Sequence, residues 1–517
     1  MIRYKFLQLI ETHFKIHKVC ALLGPRQCGK TTLSQAFASL NRIPRINIFD
    51  LENYSDLERL DDPLLALSDL QGFVVIDEIQ YKPNLFPTIR ILADKKNIKF
   101  LILGSASRDL IKQGSETLAG RIGYIEMTPF VSSEALDLDN LWVRGGFPLS
   151  YLADNDELSF LWRQNYVRTF LERDIPKLGF SIPTTQLRRF WMMLCHYHGG
   201  IFNASELGKS LGISYHTVKN YLDILEGTFM IRVLQPWHEN LKKRQVKTPK
   251  IYFRDSGIYH VLLGLNNYEA IAISPKIGTS WEGFALEQII RYYDAEQEEC
   301  YFWSSHNIAE IDLLIIKDGK RVGFEFKYSS TPKITKSMEI ALSDLKLDQV
   351  KIIFPGDKAY NLSEKIEAIG LELLRKEIND ILELKRFAEY FSDKEILDSD
   401  KVFIDQCLTD FQQGKKIYKQ QKIIDRNSWQ ITCIVISHDA DSPFERHFVI
   451  SLIDSFITEK KIDNDQIASG EAIIFQDKGF RDGPTWRLGM NIAIKIILKN
   501  REELKKELSL GLNKSAF

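Results

Sequence analysis

Short continuous apolar runs, set apart by amphipathic stretches, organise the first 130 positions. Lys18-Val19-Cys20-Ala21-Leu22-Leu23, Gly72-Phe73-Val74-Val75-Ile76 and Lys99-Phe100-Leu101-Ile102-Leu103 are apolar without alternation. Such runs mark strands buried on both faces of a parallel sheet. The stretches between them carry helical periodicity, so an α/β layer structure with helices on both faces of the sheet is predicted up to about residue 127. Residues 1–18 carry a periodic apolar pattern with Glu11 among several bases, and read as a helix packed on that core. Over 142–197 the pattern turns helical and aromatic-rich. Within it, 142–148 reads as a loop whose glycines allow close backbone approach. Residues 162–174 mix Arg163, Arg168, Arg173 and Asp174 with Tyr166, Phe170 and Leu171, which predicts an interdomain helix with structural ion pairs.

The next pattern is that of a winged helix. Asn203 or Ser205 caps a first helix, Gly212 turns the chain, and Ser214 precedes a second helix over 215–226. Val218, Tyr221, Leu222 and Leu225 form its apolar face; Tyr215, His216, Lys219 and Asn220 form the other. The runs 229–234 and 250–253 predict wing strands, with the basic segment 242–247 between them. Two uses fit this pattern: entry of the second helix into a DNA major groove, with basic residues on phosphates, or packing of domains against one another. Beyond it, 280–290 is an amphipathic helix, 309–316 a strand, 317–320 a hairpin turn and 322–327 the returning strand. Past residue 380, helices are expected over 382–391, 401–413, 448–458 and 491–508, and strands over 429–436 and 471–475. His438, Asp439 and Asp441 cluster after a strand, with His447 following; a polar loop is expected there, with a metal or hydrolytic site as the alternative.

Chemistry enters at Gly24-Pro25-Arg26-Gln27-Cys28-Gly29-Lys30-Thr31, which fits G-x-x-x-x-G-K-[ST]. The glycines let backbone N–H groups cradle phosphate oxygens, Lys30 brings charge to the β- and γ-phosphates of ATP, and Thr31 offers a hydroxyl to Mg²⁺. A strand precedes this loop, and a helix over 31–38 aims its dipole at the same anion. Asp77 and Glu78 end the run 72–76, at the edge of an α/β sheet where ligands sit; Asp77 is the expected Mg²⁺ partner and Glu78 the general base. Ser105, at the end of the third apolar run, is placed to sense the γ-phosphate. Arg121 is either an arginine finger for a neighbouring subunit, which makes the chain a homo-oligomer, or a surface arginine.

A second constellation lies in the hairpin. Glu325 and Lys327 share a strand face, antiparallel pairing brings Asp312 beside them, and Glu282 lies on the preceding helix. Carboxylates of this kind bind Mg²⁺ or Mn²⁺, and Lys327 then orients or deprotonates a water for phosphodiester attack. An ordinary charged hairpin and a nuclease-like fold without activity fit the same residues.

Composition narrows the partners. The 517 residues are 44% hydrophobic and 26% charged, with a formal net charge of -1, so nucleic-acid contact has to come from local patches. Six cysteines without a C-x-x-C pair suggest neither zinc nor a disulfide framework and fit a reducing, cytoplasmic setting. No apolar run approaches a membrane span.

Together these residues resemble a prokaryotic family of AAA-type ATPases whose members join an ATPase core to a C-terminal domain of unknown function. The resemblance runs through Gly24-Pro25-Arg26-Gln27-x-Gly29-Lys30-Thr31-Thr32, Ile76-Asp77-Glu78-Ile79-Gln80, Gly104-Ser105-x-Ser107 and Leu118-Ala119-Gly120-Arg121. It continues through Gly145-Gly146-Phe147-Pro148, Lys250-x-Tyr252-Phe253-x-Asp255-Ser256-Gly257, Trp281-Glu282-Gly283-Phe284 and the Asp312, Glu325, Lys327 set. It implies an AAA-type P-loop core over 1–135, a helical connector over 136–198, and a winged helix over 199–265. A domain similar to PD-(D/E)XK restriction-endonuclease folds follows over 266–380. Residues 381–517, an α/β domain without an assignable motif, lie outside it. Cys28 stands where the family usually has a small aliphatic residue, and a thiol there is expected to be open to oxidation beside the nucleotide.

Overall fold

Five strands, β1 (Val19–Leu23), β2 (Ile48–Asp50), β3 (Gly72–Asp77), β4 (Ile98–Gly104) and β5 (Ile122–Glu126), pair in parallel in the order β2-β3-β4-β1-β5. The computed structural model describes residues 3–95, 97–106, 118, 120–135, 137–239, 245–305 and 309–374, and the backbone of 420–424, 429–436 and 447–454. Alternate side chains of each strand face opposite ways, and both faces are covered. Val19, Ala21, Val74, Ile76, Phe100 and Ile102 enter one core. Cys20, Leu22, Val75, Leu101 and Leu103 enter the other, against Phe6, Leu7, Ile10 and Phe14 of the helix Tyr4–Ile16. The i, i+4 spacing of those helix residues is why the amino-terminal segment packs on the sheet as expected.

The connector is helical, with two corrections. Trp142, Val143 and Arg144 lie in the helix Leu138–Arg144 rather than in a loop. Asp137 caps it by accepting from the N–H groups of Asp139 and Asn140, and Leu141, Trp142 and Val143 are buried, so local capping and apolar burial outweigh the glycines that follow. The close approach expected of the glycines is present at both: a Cβ would lie 2.2 Å from Asp255 at Gly145 and 2.1 Å from the Phe130 carbonyl oxygen at Gly146, whose N–H donates to Asp255 at 2.8 Å. The long helix runs Asp156–Thr169 and continues as a π-turn over Phe170–Asp174. Arg163, expected in an ion pair, is fully buried and donates instead to the carbonyls of Val143 and Gly257, each at 3.1 Å. It fastens the connector to the helix Ser256–Leu263 through backbone acceptors, with no carboxylate in hydrogen-bond range.

Two helices, Ala204–Leu211 and Tyr215–Gly227, follow with Asn203 and Ser214 as caps. Val218, Tyr221, Leu222 and Leu225 are buried, whereas Tyr215, His216, Lys219 and Asn220 are exposed. The strands β6 (Gly200–Ile201), β7 (Ile231–Pro236) and β8 (Lys250–Phe253) pair antiparallel, with β8 in the middle. The Lys242, Lys243 and Arg244 part of the basic segment lies outside the described residues.

These strands do not end their own domain. β7 pairs in parallel with β9 (Cys300–Ser305) through Gln235 and Pro236, which fuses them to the strands that follow. The hairpin β10 (Ala309–Lys317) and β11 (Lys320–Phe326) continues antiparallel from β9, and β12 (Gln349–Phe354) lies parallel to β11 after the helix Lys336–Asp344. With β13 (Ala359–Asn361) and β14 (Ile366–Gly370) the sheet has nine strands, ordered β13-β14-β12-β11-β10-β9-β7-β8-β6. The helix Ile277–Tyr292 covers one face, with Trp281, Phe284, Ala285 and Ile289 in a core shared with Trp142, Tyr252 and Phe324.

Residues 1–375 form one compact unit and 376–517 another. In the second, Trp429–Ile436 is a strand as expected, paired antiparallel with Gln420–Ile424 and His447–Asp454. The last of these corrects the helix expected over 448–458: Val449, Ile450 and Ile453 are β-branched, and a short apolar run of that kind prefers a pleated neighbour. The stretches 382–391, 401–413, 471–475 and 491–508, and His438, Asp439 and Asp441, lie outside the described residues.

Candidate functional site

The phosphate-type loop sits where β1 meets the helix Lys30–Leu40. Gly29 holds a φ of +101°, open to glycine alone at little cost, and a Cβ at Gly24 would lie 2.0 Å from the Met127 carbonyl oxygen. Backbone geometry therefore demands both glycines of the motif. Lys30 is buried, its Nζ donating to the Gly24 and Pro25 carbonyls at 2.9 and 2.8 Å. The Thr31 hydroxyl donates to Asp77 at 2.7 Å. Burial pushes the Asp77 carboxyl up to about 6, against the opposing pull of that hydrogen bond. A divalent cation at this point would meet a hydroxyl and a poorly solvated carboxylate side by side, and the pair Thr31 and Asp77 fits Mg²⁺.

Glu78 follows with a left-handed φ of +56°, a conformation a non-glycine residue keeps only where its surroundings impose it. Gln80 bridges Glu78 to Ser105, donating to the Ser105 hydroxyl at 2.9 Å and to the Glu78 carboxylate. β4 lies between β1 and β3, so Ser105 is placed between the loop and the acidic strand end, as its reading required. The role of Gln80 as a link was not foreseen, although it stands in the quoted motif. Gln27 is exposed on the loop and Thr32 on the helix that follows it. Arg26 is tied elsewhere, to Glu52 at 2.7 Å and Asp174 at 2.9 Å. Its side chain anchors the loop to β2 and the connector's π-turn, where Arg173 and Lys177 also reach Glu52.

Cys28 is fully buried, donates to the Met127 carbonyl, and has its thiol raised by burial. A protonated, enclosed thiol is a poor target for oxidants, which corrects the expected sensitivity. Cys20, Cys28, Cys195 and Cys300 are all free and buried.

Arg121 precedes β5, and its carbonyl accepts from Val19 at the start of β1. Because the strands are parallel, it lies at the opposite end of the sheet from the loop. Its guanidinium is exposed and paired with Asp94 at 2.7 Å. It cannot reach the nucleotide of its own subunit, which leaves the two readings above: a finger for a neighbour, or a surface ion pair.

The hairpin brings the second constellation together. The register Leu313↔Phe324 sets Asp312 opposite Glu325. Lys327 contacts Glu325 at 2.8 Å, and Glu282 accepts from the Tyr252 hydroxyl at 2.6 Å. Two further members come from β8, which no spacing argument had connected to this site. Lys250, nearly fully buried, contacts Glu310 and lies 3.7 Å from Asp312; Tyr252, two positions on, holds Glu282. Burial, then repulsion from Asp312, raises Glu282 and Glu325 well above the usual carboxylate range. Burial works against the Lys250 charge, but Asp312, Glu282 and Glu310 together outweigh it and hold the ammonium protonated.

This donor set does not fit Mg²⁺ or Mn²⁺. Asp312 already faces an ammonium and accepts from the Phe326 N–H at 3.2 Å, Glu325 faces Lys327, and Glu282 faces a hydroxyl. Among the described residues no group of three or more His, Cys, Asp or Glu side chains is placed to hold a metal ion. No helix among them is long and apolar enough to cross a membrane.

A further ion network, exposed at Glu126 and buried at Arg232 and Glu287, joins the first sheet to the helix Ile277–Tyr292. Glu126, at the end of β5, meets Arg254 and Arg291, each at 2.5 Å. Glu287 pairs with Arg232, its second contact at 2.9 Å, and lies 3.8 Å from Arg254. Glu126 is followed by Met127, whose N–H donates to Leu23 at 2.7 Å and whose carbonyl blocks any side chain at Gly24.

Comparison with known proteins follows this division. The family described as AAA domain matches residues 16–136, and two families described as domains of unknown function (DUF8612 and DUF4143) match 135–269 and 277–374. Uncharacterized proteins of Mycobacterium bovis and Mycobacterium tuberculosis are each 45% identical over 357 residues, covering 68% of this chain and 79% of their own length. An uncharacterized protein of Haemophilus influenzae is 23% identical over 293 residues, covering 50% and 72%. Among solved structures, the Walker-type ATPase of Pyrococcus abyssi shows 16% identity and a TM-score of 0.35, covering 50% of this chain and 95% of that one. The Aeropyrum pernix ORC1 protein in complex with DNA shows 13% and 0.25, covering 52% and 92%. At such scores the structural likeness does not bear on function.

Proposed function

We propose, from the premise that this chain belongs to the family of AAA-type P-loop ATPases with a C-terminal domain of unknown function, that its hydrolysis of Mg-ATP switches its grip on DNA. The observation that carries the nucleotide half is the contact of the Thr31 hydroxyl with Asp77 beside an enclosed Lys30. In this reading the loop N–H groups and Lys30 bind the phosphates, and Thr31 and Asp77 hold Mg²⁺, which neutralises phosphate charge. Glu78 accepts a proton from the attacking water, and Ser105, through Gln80, orients Glu78.

The DNA half rests on the two capped helices and the antiparallel strands behind them, which we read as a winged helix. Its exposed row Tyr215, His216, Lys219 and Asn220 would enter a major groove. The strands β9, β10, β11 and β12 with their flanking helices we read as a restriction-endonuclease-like fold. Because Lys250 stands among the acids of that fold, it serves recognition here and not cleavage. The test is DNA affinity in the ATP- and ADP-bound states at one stated salt concentration; equal affinities remove the coupling.

Arg121 acts in trans in this proposal, since its place on the sheet excludes action on its own nucleotide. Hydrolysis per subunit is expected to rise with protein concentration, and Arg121→Ala to abolish that rise. Concentration-independent turnover in a monodisperse monomer removes the finger.

A further inference from the structure

We infer that Lys250 is the resident cation of the carboxylate cluster formed by Glu282, Glu310, Asp312 and Glu325, and that it excludes a divalent metal from it. The cluster has the parts of a metal-dependent phosphodiester site: two strand carboxylates face to face, a lysine two positions along, and a helix glutamate. What differs is the occupant. β8 delivers Lys250 and Tyr252 on one face, two positions apart. The ammonium lies against Glu310 and 3.7 Å from Asp312, while the hydroxyl engages Glu282. Lys250 also stacks over the Phe302 ring at 5.5 Å. It is 3% exposed, so it has no solvent-facing rotamer to retreat into without moving the strand.

The electrostatics decide between the two cations. A buried cluster of acids is costly unless neutralised. Two ammonium groups, Lys250 and Lys327, supply part of that neutralisation from within the chain, each against a carboxylate of the cluster. A divalent ion would have to take the same carboxylate lone pairs at about 2.0–2.6 Å, within a few ångströms of a fixed positive charge. In a poorly hydrated site like charges at that range repel strongly. The lysine therefore converts a metal site into a salt-bridged joint. The joint fastens β8, which belongs to the proposed winged helix, to the hairpin β10–β11. This goes beyond the ATPase reading and stands whether or not the chain binds DNA.

The experiment is a Mn²⁺ titration of the full chain, followed by electron paramagnetic resonance of the free ion. Wild type saturated with Mn-ATP is expected to hold one ion per chain, and Asp312→Asn is expected to leave that count unchanged. Lys250→Met, of similar length but uncharged, is expected to gain a second ion, with affinity at the cluster raised about tenfold or more. Lys250→Met combined with Asp312→Asn is expected to lose it again. Lys250→Arg, which keeps the charge, is expected to gain none. Two ions in wild type, one of them lost in Asp312→Asn, overturns the proposal. So does a folded Lys250→Met protein that gains none. If the Met variant does not fold, Lys250→Gln and the wild-type count remain decisive.

Discussion

Glu78→Gln is expected to lower ATP turnover by roughly 10²–10⁴-fold while leaving ATP binding within about twofold of wild type. In the proposed mechanism the Glu78 carboxylate takes the proton from water, while Asp77, engaged by the Thr31 hydroxyl, serves the metal. Glutamine keeps the size of the side chain and its bond to Gln80, but it cannot take the proton. Lys30→Ala is the complementary control. It removes the charge facing the phosphates, so binding itself weakens. Single-turnover hydrolysis beside equilibrium binding separates the two, and a Glu78→Gln protein that turns over like wild type would refute the assigned role.

Glu287→Ala is expected to cost about 3–5 kcal/mol of stability, read as a lowered urea midpoint. Glu287 and Arg232 are both buried and bonded to one another. Removing the carboxylate leaves Arg232 charged and unsolvated, with Arg254 and Arg291 close by and Glu126 already paired with those two. Burial already holds the Arg291 guanidinium below its ordinary value, so the site has little capacity for unpaired positive charge. A surface ion pair is worth at most about 1 kcal/mol; a loss no larger than that would show that this network is hydrated in solution. Replacing Arg232 and Glu287 together by apolar residues is expected to recover much of the loss, since the penalty lies in breaking the pair.

The nucleotide site was legible because its chemistry is contiguous. One loop and one strand end carry it, and the constraints at Gly24 and Gly29 are local backbone constraints. The Asp312, Glu325 and Lys327 face was legible because a four-residue turn fixes the register of β10 on β11. Lys250 was not legible. It reaches the acids because β7 joins β9 over only two residues, Gln235 and Pro236, and no periodicity in the chain announces a pairing that short. Arg163 was misread because a charge pattern along a helix does not say whether the acceptor will be a carboxylate or a backbone carbonyl. The run at 448–458 was misread because short apolar segments satisfy helix and strand templates alike. Its β-branched residues and its partner at 429–436 decide the outcome.

In the proposed coupling the nucleotide sits at the carboxyl ends of β1 and β3, the β5 end at Glu126 and Met127 is the strut, and the helix Tyr215–Gly227 is the output. Met127 lies against Gly24 of the loop, and its neighbour Glu126 holds Arg254 and Arg291 by ion pairs, so a shift at the phosphates has a short route of contacts toward the nine-stranded sheet. The measurement that tests this most directly is duplex DNA affinity of the Glu78→Gln protein, held with ATP and then with ADP at identical salt. The account predicts affinities that differ by about tenfold or more, on the scale of ordinary coupling free energies, and a difference that disappears in Glu126→Gln. Identical DNA affinities in the two nucleotide states, or no DNA binding in either, would contradict it.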